Sequence, residues 1–140
     1  MKFSEYLSKI SGPLLDRIDL QLEVPPVNPW DLSSNTHGEE SSVVAKRVEK
    51  AIQFSQKRFE GTGILRNAEA DGIFLTQHAH MEEDSLSILR DAAEKMRLSA
   101  RGYHRIIRVA RTIADMEFSD TIKKHHVYEA LSFKNPLKSV

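Results

Sequence analysis

The chain has 140 residues, with 20 Lys+Arg against 20 Asp+Glu and no cysteine. That length suits one domain with its own core; the zero net charge leaves nucleic-acid binding to local clusters, and the absence of thiols excludes disulfides and thiolate metal sites. No apolar run approaches the ~20 residues of a membrane span, and Met1-Lys-Phe-Ser-Glu5 leads into no signal-peptide core, so a soluble cytoplasmic protein is expected.

Residues 4–10 read as a short helix, with Tyr6, Leu7 and Ile10 at helical spacing. Gly12-Pro13 interrupts it, and Pro13 suits the start of a new turn carrying Leu14-Leu15. Ile18, Leu20, Leu22 and Val24 then alternate with polar residues, the pattern of a half-buried strand. Pro25-Pro26 ends it. No second strand follows. A lone strand cannot satisfy its own backbone, so its sheet is expected outside this chain. Residues 28–42 hold Pro29 and a polar run and read as a linker or loop. Trp30 is expected to be a packing anchor within it, with an exposed contact as the alternative.

A helix is expected from Ser42 to Phe59, with Val44, Val48, Ala51, Ile52, Ser55 and Phe59 as its buried stripe. Gly61-Thr-Gly63 stops it. Residues 60–83 read as irregular, with a small apolar cluster at Ile73-Phe-Leu75. His78-Ala-His80 has the spacing of two metal ligands on a strand, but no third ligand lies nearby, and a polar loop is the simpler reading. The next helix runs from Asp84 or Ser85 to Met96. A last helix carries His125, His126, Val127, Ala130 and Leu131. Its adjacent histidines point about 100° apart on a helix, which is poor geometry for one metal ion.

The strongest amphipathic element lies between these two, from a Ser99 N-cap to Met116. Tyr103, Ile106, Ile107, Ala110, Ile113 and Ala114 share one arc. Arg101, Arg105 and Arg108 lie on the other side, with His104 and Arg111 at its edge. One reading is a solvated basic face. The other is phosphate recognition: Arg101 sits in the first turn, where free N–H groups and the helix dipole already favour an anion, and a guanidinium fork matches phosphate oxygens.

Catalytic machinery is missing. There is no Gly-x-x-x-x-Gly-Lys-[Ser/Thr] loop, no strand ending in paired acids, no Gly-x-Ser-x-Gly and no His-Glu-x-x-His. Alone, the chain is expected to hydrolyse nothing.

Two long motifs supply a context. Ile10-Ser-Gly-Pro-Leu-Leu-Asp-Arg-Ile-Asp-Leu20, followed by Glu23-Val-Pro25, resembles a motif of the magnesium-chelatase-like AAA+ ATPases, and in particular of the subgroup that includes the ComM-type competence proteins. Leu98-Ser-Ala-Arg-Gly-Tyr-His-Arg-Ile106 with Ala110-Arg-Thr-Ile-Ala-Asp-Met-Glu117 resembles the C-terminal signature of the same group. Arg66-Asn67-Ala68 and His126-Val-Tyr-Glu-Ala-Leu131 fit its spacing. The resemblance spans about Tyr6 to Leu131.

It implies a mainly α fold: a helical lid of about four helices at residues 43–134, preceded at residues 1–27 by a short α/β remnant of an AAA+ core and followed by a tail at 135–140. The chain would be a C-terminal fragment, with the phosphate loop and magnesium-binding acids before Met1. Arg17 matches the arginine finger, reaching in trans to a nucleotide held by the next subunit. The alternative is a structural pair with Asp16 or Asp19. Arg101 matches the sensor-2 arginine, in cis or in trans, with Arg105 and Arg108 in weaker supporting roles. ATP and Mg2+ would be cofactors of the parent, with none held by the fragment. The partners would be neighbouring subunits of a homo-oligomeric ring, a hexamer, and DNA handled in transformation or recombination; the fragment alone would be a monomer. Two other readings stand beside this one: an independent helical DNA-binding module, whose affinity would fall steeply with salt, and a protein-interaction bundle.

Overall fold

A computed structural model describes residues 12–15, 17–30 and 38–134. The expected helix over 4–10, Asp16 and the tail from 135 lie outside these residues. Six α-helices occur in the described part: α1 (Gly12–Leu15), α2 (Ser41–Arg58), α3 (Gly72–His78), α4 (Glu83–Lys95), α5 (Ala100–Met116) and α6 (Lys124–Ser132), with a 3-10 turn at Asn67–Glu69. The fold is mainly helical. Five of these helices fall in the expected lid range, one more than the sequence suggests.

The additional helix is α3. Its seven residues are too few for apolar periodicity to declare itself. The signal that marks it is the Asp71 N-cap, whose carboxylate accepts from the Gly72 N–H at 2.8 Å. This also removes the metal reading of His78-x-His80. His78 ends α3, stacks on Phe74 at 3.9 Å between ring centroids, and its Nδ1 lies 2.8 Å from the Phe74 carbonyl oxygen.

The centre of the bundle is α5, which packs against α2, α3, α6 and the 3-10 turn, while α4 packs on α6. Phe59, Leu75, Leu89, Ile106, Ile107, Ile122 and Val127 fill the core together with Ala70, Ala79, Ala110, Ala114 and Ala130. The abundance of alanine lets helices approach closely, while each large side chain removes roughly 1.5–3 kcal/mol worth of apolar surface from water. Helix α5 begins where expected: Ser99 Oγ accepts from the Gly102 N–H at 3.0 Å. Ser99→Ala should lower stability by about 1 kcal/mol, seen as a drop of roughly 4–8 °C in the melting temperature. An unchanged melt would show that the cap adds nothing here.

Three expectations bear on the packing, and the second and third are corrected. First, residues 18–24, whose sheet is expected outside this chain, pair with no strand among the described residues, where the sole β-type pairing is an isolated parallel bridge between Met81 and Ile122. The run is extended and open to solvent, with Leu20, Leu22 and Val24 at 50, 66 and 84 % exposure. Alternation alone does not make a strand; a neighbouring ladder does. Among the described residues, one backbone–backbone bond joins the segment to the bundle, Gln21 N–H to the Phe133 carbonyl at 2.9 Å. Second, Trp30 is no packing anchor, being 81 % exposed. Third, the α2 stripe is only partly covered: Ala51, Ser55 and Phe59 are buried, but Val48 and Ile52 remain open.

Candidate functional site

The face of α5 that carries Arg101, Arg105 and Arg108 is not uniformly open. Arg101 is exposed, Arg108 is partly covered, and Arg105 is buried. The cover over Arg105 is the chain's own segment after α1. Arg105 Nε lies 2.5 Å from Asp19 Oδ1, and its Nη1 donates to the Ile18 carbonyl at 3.3 Å. The expectation of three guanidinium groups side by side on an open face is therefore corrected at its middle member. Arg105 is held by an acid 86 positions earlier, a pairing that helical periodicity cannot reveal.

Folding that segment onto α5 also carries Arg17 to the same place. Arg17, Arg101, His104, Arg105 and Arg108 line one open cleft of about 460 Å3, together with Ala100 and Asp71. All four arginines singled out in the sequence thus surround one space. Asp71 is the acid at its rim, 3.5 Å from Arg108 Nη2 and 3.8 Å from His104 Nδ1. Asp19, the other partner considered for Arg17, is engaged by Arg105 instead.

The donor set suits an anion. Guanidinium groups present several N–H donors and no acceptor. Arg108 Nε is shielded from solvent and has no hydrogen-bond partner within the protein, so it has donor capacity to spare. Arg101 lies in the first turn of α5, where backbone N–H groups add to the positive field. The cleft has the wrong chemistry for a divalent cation, which needs several oxygen ligands. Acids for Mg2+ would have to come from elsewhere.

At the other end of α5 lies a buried charge network that the sequence reading placed wrongly. Arg111, expected at the edge of the exposed basic face, is fully buried. Its Nη1 donates to the carbonyls of Ala79 and Asp120, both at 3.0 Å, and its Nη2 donates to the Ser119 carbonyl. Its Nε donates to Asp115 Oδ1 at 3.2 Å. Burial pulls the Arg111 guanidinium below its ordinary pKa, while Asp115 pulls it back. Asp115 also binds Arg58 through both carboxylate oxygens and accepts from Asn67 Nδ2 at 2.8 Å. Every member of the network is hydrogen-bonded, as buried charge requires.

The two adjacent histidines converge despite their angular offset. Both Nε2 atoms lie against Glu117 Oε2, His125 at 2.9 Å and His126 at 3.0 Å. The three side chains have the composition of a metal site. However, His126 Nδ1 accepts from the Lys123 backbone N–H at 2.9 Å. A neutral imidazole accepting at Nδ1 carries its proton on Nε2, which is then a donor to Glu117 and has no lone pair for a metal. The arrangement is a capping device for α6.

These donors, His125 first and His126 second, hold the Glu117 carboxyl below its ordinary pKa. A carboxyl depressed in the folded state stabilises the fold above its unfolded pKa, and that contribution is lost as pH falls through the folded value. Glu117→Gln should therefore melt below the parent chain at neutral pH, within the ~0.2–1 kcal/mol of exposed ion pairs. The two melting curves should converge as pH falls below the ordinary carboxylate range and through the depressed folded value. A difference that persisted unchanged into acid would refute the charge-based origin.

Comparison with known proteins follows the same outline. Residues 38–134 match the family model of the magnesium chelatase subunit ChlI C-terminal region, and residues 1–32 match that of magnesium chelatase subunit ChlI. Among curated proteins, YifB of Salmonella typhimurium is 38% identical over 130 residues. The competence protein ComM of Haemophilus influenzae is 35% identical over 129 residues, as is Rv2897c of Mycobacterium tuberculosis. In each case the match covers 92% of this chain and 25% of the relative, so the chain spans about a quarter of the length of these proteins.

Proposed function

Because the chain belongs to the magnesium chelatase ChlI C-terminal family, we propose that it is the lid and sensor module of a ring-forming AAA+ ATPase. In this reading a nucleotide-binding core, supplied by the rest of a longer polypeptide, holds ATP, and the cleft at the start of α5 meets its phosphates. Arg17 is the arginine finger, reaching the γ-phosphate held by a neighbouring subunit of a homo-oligomeric ring, a hexamer. Arg101 is the sensor-2 arginine. Arg108 assists from the cleft wall. When bound, Mg2+ neutralises charge on the β- and γ-phosphates; its ligands belong to the core.

The observation that carries this reading is the placement of Arg17 and Arg101 in one cleft. Two cations from segments far apart in sequence serve a single polyanion there. It also bears on whether Arg101 acts in cis or in trans: if Arg17 serves the neighbour's nucleotide, Arg101 beside it serves the same one.

The motor would act on a macromolecule, and the similarity to a competence protein supports DNA in transformation or recombination. An independent DNA-binding face is less well supported, because Arg105 is engaged by Asp19 and the net charge is zero. No helix of the described residues is long and apolar enough to cross a membrane; the proposed setting is the cytoplasm. The test is ATP turnover by the complete protein with Arg17→Ala and, separately, Arg101→Ala. Turnover unchanged in both would overturn the reading.

A further inference from the structure

The segment that carries Arg17 has little to fix its position. Residues 17–20 lie in neither helix nor strand and are exposed. Arg17 N–H closes a turn onto the Leu14 carbonyl at 2.9 Å, which shapes the segment locally but does not dock it. Among the described residues, two polar links connect it to the bundle: the Gln21 N–H bond to Phe133 and the double grip of Arg105 on Asp19 and the Ile18 carbonyl. Arg105 itself is well anchored, because its side chain is 7 % exposed on the helix at the centre of the bundle. Asp19 is two residues from Arg17 and Arg105 is one helical turn from Arg101. The Asp19–Arg105 pair therefore sets the spacing between the two arginines that face the cleft.

We propose that Asp19 and Arg105 are positioning residues, a clamp that holds Arg17 in register with Arg101, rather than ligands of the phosphate. This rests on the reading of Arg17 given above and reassigns Arg105 from phosphate contact to support. The half-exposed carboxylate of Asp19 makes the idea testable, because two accounts of it predict opposite signs. If Asp19 were only a negative charge beside an anion site, removing it would tighten ATP binding or raise turnover. If it is the fixed point of the clamp, removing it frees Arg17, and a displacement of about 1 Å at a reacting group costs up to about 100-fold.

In the complete ATPase, Asp19→Asn should lower kcat by about 10–100-fold with little change in KM for ATP. Asp19→Glu should recover part of the loss. On an Arg17→Ala background, Asp19→Asn should cost nothing further, because the two act through one contact. A general loss of folding would instead add to the Arg17→Ala defect. If Arg17→Ala impairs turnover while Asp19→Asn matches or exceeds the parent rate, the clamp is wrong and the finger stands. If Arg17→Ala leaves turnover intact, the finger is wrong, and amide exchange on the 140-residue chain decides the clamp alone. There, Asp19→Asn should speed exchange at Gln21, whose N–H bonds the Phe133 carbonyl, by at least about 10-fold while leaving α5 protected. Unchanged exchange at Gln21 would overturn it.

Discussion

On the proposed reading, Arg17→Ala in the complete protein is expected to lower ATP turnover by about 10³–10⁵-fold while leaving ATP binding nearly intact. The transferring phosphoryl group spreads charge over its oxygens as the bond to the leaving phosphate lengthens. A guanidinium that meets that charge mainly in the transition state changes kcat far more than affinity. Arg17→Lys should recover only part of the activity, since an ammonium cannot offer the planar fork. Action across an interface has its own signature. Mixing Arg17→Ala subunits with subunits unable to bind ATP should restore hydrolysis, because an intact finger then meets an intact pocket. No restoration would place the finger in its own subunit's site, and unchanged turnover in Arg17→Ala alone would remove the role.

The second large effect concerns stability and needs only this chain. Asp115→Ala leaves Arg111 and Arg58 facing each other without an acid between them, where their side chains are 1 and 7 % exposed. Breaking a buried pair from one side costs about 3–5 kcal/mol, a large share of the 5–15 kcal/mol that holds a domain together. A melting temperature lower by roughly 15–30 °C is expected. Some buried ion pairs can be exchanged for apolar residues of similar volume without loss. This one should resist the exchange, because Arg111 also supplies donors to the carbonyls of Ala79, Ser119 and Asp120. A fully apolar triad would strand three acceptors. A triple replacement that melts like the parent chain would show that those carbonyls find other donors.

Sequence and structure agree best where a single helix carries the signal. Helix α5 runs from Ala100 to Met116 behind its Ser99 cap, as amphipathic spacing indicates. Local pattern fails wherever the deciding contact comes from far along the chain. Periodicity treats Arg105 and Arg111 as solvent-facing because they are charged. Asp19, Ala79 and the turn at Ser119–Asp120 make burial of those charges tolerable, and no local window includes them all. The Ile18–Val24 alternation is a true strand pattern without a neighbouring ladder to complete it. For the site, composition left the arginines between a wet surface and a phosphate cradle. The long motifs singled out Arg17 and Arg101, and folding brought them to one cleft. Asp71, at its rim, was missed; its only sequence signal was an Asp-Gly pair capping a helix too short to notice.

Arg111 spans elements that would otherwise be joined only by packing. It ties the end of α3 and the turn before α6 to the C-terminal half of α5. At 1.5 Å per residue, the 17 residues of α5 extend about 25 Å, with Arg101 near one end and this knot near the other. A rod pinned so firmly at its far end bends little under load. On the proposed reading, a tilt imposed at Arg101 would carry the end of α3 and the turn before α6 along with α5 as one body, instead of being absorbed along the helix.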